Sequence, residues 1–153
     1  MTERIVKITL DESTIKTRSK EVEHEKSVAI ADLLDENMFQ PHCMSGGPYE
    51  VHLSIAEGRL VFDITSEQDS KAKAVLPLQS LRGVVRDYFM ICESYYEALG
   101  TVTACKLEAI DMGRRGIHNE GAEALQTVLN GRIKVDFPTA RRLFTLICVL
   151  HIK

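Results

Sequence analysis

The sequence lacks any apolar stretch that could span a membrane, and it lacks an apolar segment at its N-terminus. The apolar run near the C-terminus extends only from Leu146 to Leu150, whereas a spanning helix needs about 20 such residues. The first residues, MTERIVKITLDES, carry charges where a signal peptide would be apolar. We therefore expect a soluble, cytoplasmic protein that makes no contact with a membrane.

Cysteine is scarce and is not arranged for metal binding. None of the four cysteines belongs to a C-x-x-C pair, which excludes a zinc ribbon or a thioredoxin motif. Glu21 and His24 have the spacing of a helical chelating pair, and His42 precedes Cys43. Neither pair has the further ligands that a metal site requires. We predict four reduced thiols, no metal and no cofactor.

The linear signatures of the common catalytic classes are also missing. There is no P-loop, no G-x-S-x-G and no H-E-x-x-H segment. The formal net charge is only −3, although residues 104–153 carry eight Lys and Arg against five Asp and Glu. There is no long basic run and no interleaved surface aromatics, so nucleic-acid binding is not expected. Whether the protein is an enzyme stays open.

What the sequence does contain is the composition of a globular domain. Of its 153 residues, 44% are hydrophobic and 27% are charged, and both fractions are near the averages for globular proteins. A chain of this length can bury a core without a disulfide or a metal. No internal repeat or low-complexity segment interrupts it, so we predict a single domain over residues 1–153.

Alternating apolar residues predict four strands. The segment RIVKITL places Val6, Ile8 and Leu10 on one face of a half-buried strand. The segment YEVHLSIAEGRLVFDIT holds two alternating runs around Glu57-Gly58, which predicts a two-residue hairpin. The KAVLPL segment then supplies a third antiparallel strand of this meander, with its proline at a sheet edge or a strand end. The predicted hairpin pairs are Ile55 with Leu60, Leu53 with Phe62, and Val51 with Ile64.

The other segments show helical periodicity. The stripe of the first helix consists of Val28, Ala31, Leu34 and Met38. LRGVVRDYFMICESYYEAL predicts a second helix, and ACKLEAIDMGRR a shorter third one. NEGAEALQTVLNG predicts a separate helix capped by Asn119, and DFPTARRLFTLICVLH a last helix capped by Asp136. The predicted fold is therefore α+β: an N-terminal strand and helix, a three-stranded antiparallel meander, and about four C-terminal helices packed on the sheet.

Four long motifs resemble one bacterial group, uncharacterised protein family 0262. They are GPYEVHLSIAEGRLVFDI, RDYFMICESYYEA, EAIDMGRRGIHNEGAEAL and DFPTARRLFTLICVLH. The similarity covers nearly the whole chain and is weakest in the N-terminal strand. This resemblance implies a small single-domain bacterial protein. It implies no activity and supplies no catalytic residue, so hypotheses about function must come from the residues themselves.

The segment MGRRGIHNEGAEAL is the first candidate for a ligand site. Gly113 and Gly116 bracket Arg114 and Arg115, so the backbone is expected to turn tightly there. A helix that begins at Asn119 would direct its free N–H groups and its dipole toward the same turn. Two guanidinium groups beside a helix N-terminus are suited to a phosphate or a carboxylate.

Other residues provide candidate catalytic and binding groups. His118 can exchange a proton near neutral pH, and Glu120 can act as a base or orient the histidine. The helix RDYFMICESYYEA offers a pocket wall that would carry polar and aromatic groups. The complete set of candidate ligand-binding residues is Arg114, Arg115, His118, Glu93, Arg86 and Tyr95.

Each of these features also has a structural explanation. The Gly-Arg-Arg-Gly segment can be a helix stop, Asn119 and Glu120 can cap the next helix, and the arginines can pair with carboxylates of the tyrosine-rich helix. Arg141 and Arg142 occupy the first turns of the last helix, where the dipole disfavours cations. That placement indicates either an internal carboxylate or a bound anion.

Two functions compete on these observations. The first is a non-enzymatic binding or regulatory module that presents its sheet face or helical surface to a protein partner or to a second copy of itself. The second is a small enzyme or ligand-binding protein that takes an anionic small molecule, bearing phosphate or carboxylate, at the Gly-Arg-Arg-Gly-Ile-His-Asn-Glu segment. A stable oligomer in light scattering favours the first, and thermal stabilisation by phosphorylated metabolites favours the second.

Overall fold

The computed structural model describes residues 3–12, 20–44, 46–67 and 70–150, which form an α+β fold, as predicted. Of the helices in these ranges, none combines the length and apolar character needed to cross a membrane. The elements in chain order are β1 (Ile5–Leu10), α1 (Lys20–Asp35), β2 (Phe39–Pro41), β3 (Tyr49–Ala56), β4 (Arg59–Ser66), β5 (Lys71–Pro77), a 3-10 turn (Gln79–Leu81), α2 (Arg82–Ala98), α3 (Ala104–Leu129), β6 (Ile133–Val135) and α4 (Phe137–Leu150).

Four of the strands form a mixed sheet in the order β1-β3-β4-β5. The meander from β3 to β5 is antiparallel, but β1 pairs with β3 in parallel. The predicted three-stranded meander therefore matches the observed sheet only roughly. The sheet has a fourth strand, β1, which is parallel to β3 and is connected to it through α1. Strands β2 and β6 form a separate antiparallel pair.

The predicted hairpin between β3 and β4 is confirmed in its register. Glu57 and Gly58 form the turn with φ values of 54° and 74°, the positive values that a type I′ turn needs at both central positions. This turn fixes which apolar side chains face the helices. The predicted pairs Ile55–Leu60, Leu53–Phe62 and Val51–Ile64 are all present.

The outer face of the sheet is polar. Asp63 and Lys73 form an ion pair of 3.6 Å between Oδ1 and Nζ across β4 and β5. On β1 and β3, the Oγ1 atom of Thr9 and the Nδ1 atom of His52 are 2.7 Å apart. The alternation of the strands thus separates a buried apolar face from a solvated one.

The predicted buried face of β1 is wrong at Val6. Its side chain is 47% exposed, whereas Ile5 and Ile8 are buried at 0% and 6%. The pairing with β3 shifts between Ile5 and Lys7, and the resulting irregularity resets the alternation of side chains along the strand. As a result, two residues that are three apart both face the core.

The predicted stripe of α1 is also displaced. The buried residues are Ala29 and Leu33; of the predicted stripe, Leu34 packs against the core, Val28 is 43% exposed, Ala31 is exposed, and Met38 lies beyond the end of the helix. One residue corresponds to about 100° of rotation around a helix. Ala29 offers little bulk where α1 packs against α4, and the displaced Val28 borders the cavity described below.

Helix α4 forms the centre of the helical layer. Every residue from 143 to 150 is buried, and the helix packs against α1, α3 and β3. The predicted cap is confirmed, because the backbone N–H of Thr139 donates to Asp136 Oδ1 at 3.0 Å. Since α4 lies between α1 and α3, side chains from all three helices can meet around it.

The prediction of two helices around Gly113–Gly116 is wrong. Residues Ala104–Leu129 form one continuous helix, capped at Thr103, whose hydroxyl oxygen accepts from the Lys106 N–H at 3.2 Å. Each interior glycine costs about 1 kcal/mol in a helix, but packing against α2 and α4 stabilises α3 along its length. Asn119 is therefore an interior residue of α3, and within the described residues three α-helices follow β5 instead of about four.

Candidate functional site between three helices

Arg114 connects three helices. Its Nη1 lies 2.8 Å from Glu25 Oε1 of α1, and its Nη2 lies 2.9 Å from Asp111 Oδ1 of α3 itself. The guanidinium stacks over the ring of Tyr95 of α2, 4.4 Å from the ring centroid. Burial acts to lower the pKa of Arg114, but the hydrogen bond that Arg114 donates to Asp111 and the charge of Glu25 outweigh it and raise that pKa. Arg114 is thus a cation whose ion-pair partners are two carboxylates of the protein itself, Glu25 and Asp111.

Arg115 has a different environment, although it is adjacent in sequence. Its Nη2 lies 3.0 Å from Asp111 Oδ2, and 71% of its side chain is exposed, compared with 20% for Arg114. The carboxylate of Asp111 is therefore shared between the two guanidinium groups. Successive residues of a helix point in directions about 100° apart, so only Arg114 faces α1.

Glu25 accepts from two groups that come from different helices. Its Oε1 atom receives the Arg114 contact and also a hydrogen bond from the hydroxyl of Tyr96, at 2.8 Å. Burial and the neighbouring carboxylate together raise the pKa of Tyr96, so this hydroxyl stays protonated and remains a donor. The Glu25 carboxylate therefore accepts hydrogen bonds from a side chain of α2 and a side chain of α3.

His118 lies one turn beyond Arg114 on the same face of α3. Its ring packs beside that of Tyr88, with centroids 5.0 Å apart. Burial and the positive charge of Arg141 lower the pKa of His118 from 6.5 to about 4, so the imidazole is neutral at neutral pH. Its Nε2 atom is buried and has no hydrogen-bond partner among the described residues.

Arg141, on the second turn of α4, has a buried polar atom of the same kind. Its Nε is buried and lacks a hydrogen-bond partner within the described ranges. Burial lowers the pKa of this guanidinium, and the neighbouring charges of Arg142 and Arg115 lower it further. The like charges around Arg141 create a positive potential that one anion would relieve.

His118 and Arg141 line one cavity of about 150 Å³ between α1, α3 and α4. The lining residues of α1 and of α4 recur at helical spacing, so each of these helices turns one narrow face toward the cavity, and α3 contributes His118. A cavity of this volume accommodates a molecule about the size of benzene. The lining residues are Glu25, Val28, Ala29, Asp32, His118, Arg141, Arg142 and Thr145.

The structure brings together some of the predicted site residues and separates others. Arg114 and Tyr95 are in contact, and His118 shares the face of Arg114. Glu120 lies two residues from His118, which directs it to another side of α3, and it is exposed. The remaining three candidates are exposed and do not line this cavity, namely Arg115 of α3 and Arg86 and Glu93 of α2.

The pKa of His118 predicts how stability depends on pH. Because the folded-state pKa of about 4 lies below the usual 6.5, the unfolded chain binds this proton first as the pH falls. Stability is therefore lost between about pH 6.5 and pH 4, on the order of 1 to 2 kcal/mol by pH 5. Urea unfolding at pH 7 and pH 5 measures the loss.

The matched variant for this measurement is His118→Gln, which cannot titrate in that range. We expect the difference in unfolding free energy between pH 7 and pH 5 to be smaller in the variant by that same amount. Carboxylates that titrate nearby affect both proteins alike. An equal pH dependence in the two would show that His118 has an ordinary pKa in the folded protein.

These features define a small α+β protein with a charged cavity between three helices and, in the described part of the chain, no cluster of metal-ligating side chains. The model of the Uncharacterised protein family (UPF0262) matches residues 2–153, and the chain belongs to this family. The resemblance of the four sequence motifs is thereby confirmed.

Individual relatives agree with this assignment. The chain is 59% identical over 150 residues to UPF0262 proteins of Brucella canis, Brucella melitensis and Brucella suis, covering 97% of this chain and 93% of each relative. No solved structure matches the chain. The family's description carries no function, so a functional proposal rests on the cavity.

Proposed function

We propose that this protein binds a small anion, through a carboxylate or phosphate group, in the cavity between α1, α3 and α4. The single observation that carries the proposal is a pair of buried polar atoms, His118 Nε2 and Arg141 Nε, which have no hydrogen-bond partner in the part of the chain that the structure describes and belong to residues lining the same cavity. Buried polar groups in folded proteins are nearly always hydrogen-bonded. Leaving one unsatisfied costs about 1 to 3 kcal/mol.

The chemistry of these two atoms selects an acceptor as the ligand. Arg141 Nε is only a donor, and a neutral His118 donates from Nε2 when the proton is on that nitrogen. Because both atoms are buried, an anionic oxygen accepts from both once the two side chains turn toward the cavity, and hydrogen bonds that involve a charge are the stronger ones. A ligand that offers only donors would leave Arg141 Nε unsatisfied.

The distribution of charge also favours an anion. Arg141 and Arg142 both line the cavity, and they outnumber Asp32, because the other carboxylate there, Glu25, is compensated by Arg114 at 2.8 Å. The unfavourable position of two cations in the first turns of α4 has an explanation if a bound anion lies against them. We therefore assign the anion to Arg141 and His118 in place of the Arg114–Arg115 pair.

Binding to a protein partner has less support than binding of a small anion. The outer sheet face, which would be the docking surface, carries the Asp63–Lys73 ion pair and the polar contact between Thr9 and His52. Charged residues are depleted at the centres of protein interfaces. We assign no reaction to the site, since Glu120, the candidate base, is directed away from His118.

The test is calorimetric titration with acetate, propionate and inorganic phosphate at low ionic strength. We expect at least one of these probes to bind to the natural protein, and Arg141→Met to weaken that binding at least tenfold. Arg86→Met is the control because Arg86 is exposed and lies outside the cavity, so its affinity should be unchanged. Absence of binding by all three probes, or equal affinity in the Arg141 variant, contradicts the proposal.

A further inference from the structure

The cavity contains a carboxylate that the anion proposal does not use. Asp32 of α1 lines the same cavity as Arg141 and Arg142 of α4. No side-chain ion pair or hydrogen bond joins Asp32 to another described residue. The negative charge of Asp32 and the positive charges of Arg141 and Arg142 are therefore not paired directly with each other. Glu25, by contrast, is held by Arg114 and Tyr96.

The opposite charges lie on two different helices. Asp32 is seven residues after Glu25, two turns along the face of α1 that borders the cavity, and Arg141 and Arg142 extend from α4. Between them, Ala29 is buried and Val28 is exposed, and together these two side chains provide a short apolar surface. The side chains thus form a cationic wall, an apolar strip and an anionic wall in about 150 Å³.

We propose that the ligand is a small zwitterion, an amino acid whose carboxylate binds Arg141 and His118 and whose ammonium group binds Asp32. This inference rests on the proposed function, because it places the anionic group at the same two donors. An ammonium group supplies three donors to a carboxylate. The methylene groups of a short amino acid would lie along Val28 and Ala29, and the cavity volume limits the ligand to a few carbon atoms.

The experiment compares matched probes that differ by one charged group. Calorimetry is performed with β-alanine, γ-aminobutyrate and L-alanine, and with propionate and propylamine as the singly charged counterparts. We expect at least one amino acid to bind about tenfold more tightly than propionate. Propylamine should bind more weakly than both that amino acid and propionate. If none of the three amino acids binds more tightly than propionate, this inference is overturned.

Two variants of α1 locate the ammonium group. Asp32→Asn is expected to remove the advantage of the amino acid over propionate while leaving the affinity for propionate within about twofold. Asp35→Asn is the matched control, since Asp35 is exposed on the same helix and outside the cavity, and it should retain the tenfold advantage. If Asp32→Asn retains it too, the ammonium site is not at Asp32.

The outcomes distinguish this inference from the proposed function. If propionate binds and Arg141→Met abolishes its binding, but the amino acids gain nothing, the anion site stands and the zwitterion is wrong. If acetate, propionate, inorganic phosphate and the amino acids all fail to bind, both are wrong. If an amino acid binds with the full affinity in Arg141→Met, it occupies another place in the protein and the zwitterion assignment fails, while the effect of Arg141→Met on propionate binding still decides the anion site.

Discussion

Replacing Arg114 with methionine should lower the free energy of unfolding by about 2 to 3 kcal/mol, whereas the same change at Arg115 should alter it by less than about 0.5 kcal/mol. Without Arg114, the mostly buried Glu25 retains the hydrogen bond from Tyr96 but loses the positive charge that compensates it. Arg115 is 71% exposed, and an exposed ion pair contributes little. Urea unfolding of the two variants at neutral pH makes the comparison.

A double-mutant cycle separates this interaction from general damage to α3. Glu25→Gln removes the charge that Arg114 compensates, so the two substitutions together should cost at least 1 kcal/mol less than the sum of their separate costs. The corresponding cycle between Glu25→Gln and Arg115→Met should be additive. A loss in Arg115→Met as large as that in Arg114→Met would contradict the assignment of Arg114 as the buried member of the pair.

This difference between neighbouring arginines was not accessible from the sequence. Gly113 and Gly116 predict a turn on local grounds, and in a turn both side chains would be free to face a ligand. The continuous helix assigns them different directions instead, and the partner of Arg114 is a residue 89 positions away on α1. Local propensity is a weak predictor where tertiary packing stabilises a helix.

Parts of the fold that depend on neighbouring residues were predictable. The hairpin register follows from the alternation of β3 and β4 and from the two-residue turn at Glu57-Gly58. The parallel pairing of β1 with β3 and its irregularity near Val6 connect segments that are distant in sequence. No local pattern in RIVKITL indicates that irregularity, and so the predicted buried face was in error there.

As with the fold, some residues of the candidate site were predictable from local sequence and others were not. His118 attracts attention because imidazole titrates near neutral pH, and Arg141 does so because a cation in the first turns of a helix is unfavourable. Asp32 and Glu25 gave no such signal, since acidic residues on a charged helix usually face solvent. Their positions in the cavity depend on how α1 packs against α4, which requires the folded structure.

Gly121→Ala should lower the free energy of unfolding by about 2 to 3 kcal/mol, even though alanine is the better helix former. A Cβ at this position would lie 2.5 Å from Cδ2 and Cζ of the fully buried Phe144 ring, so α3 or the ring must move. Overpacking of this kind costs more than the gain of about 1 kcal/mol in helix propensity. Gly116→Ala, with no atom within 4 Å, should instead stabilise the same helix by up to about 1 kcal/mol.

The consequences of Gly121→Ala extend to the cavity, because this glycine sets how closely α3 approaches α4. Gly121 follows His118 by three residues on α3, and Phe144 follows Arg141 by three on α4, so separating the helices moves the two donors apart. Binding of propionate, where the natural protein shows it, should weaken in Gly121→Ala and persist in Gly116→Ala. Equal stability of the two alanine variants in urea would mean that α3 and α4 are not in contact at this glycine.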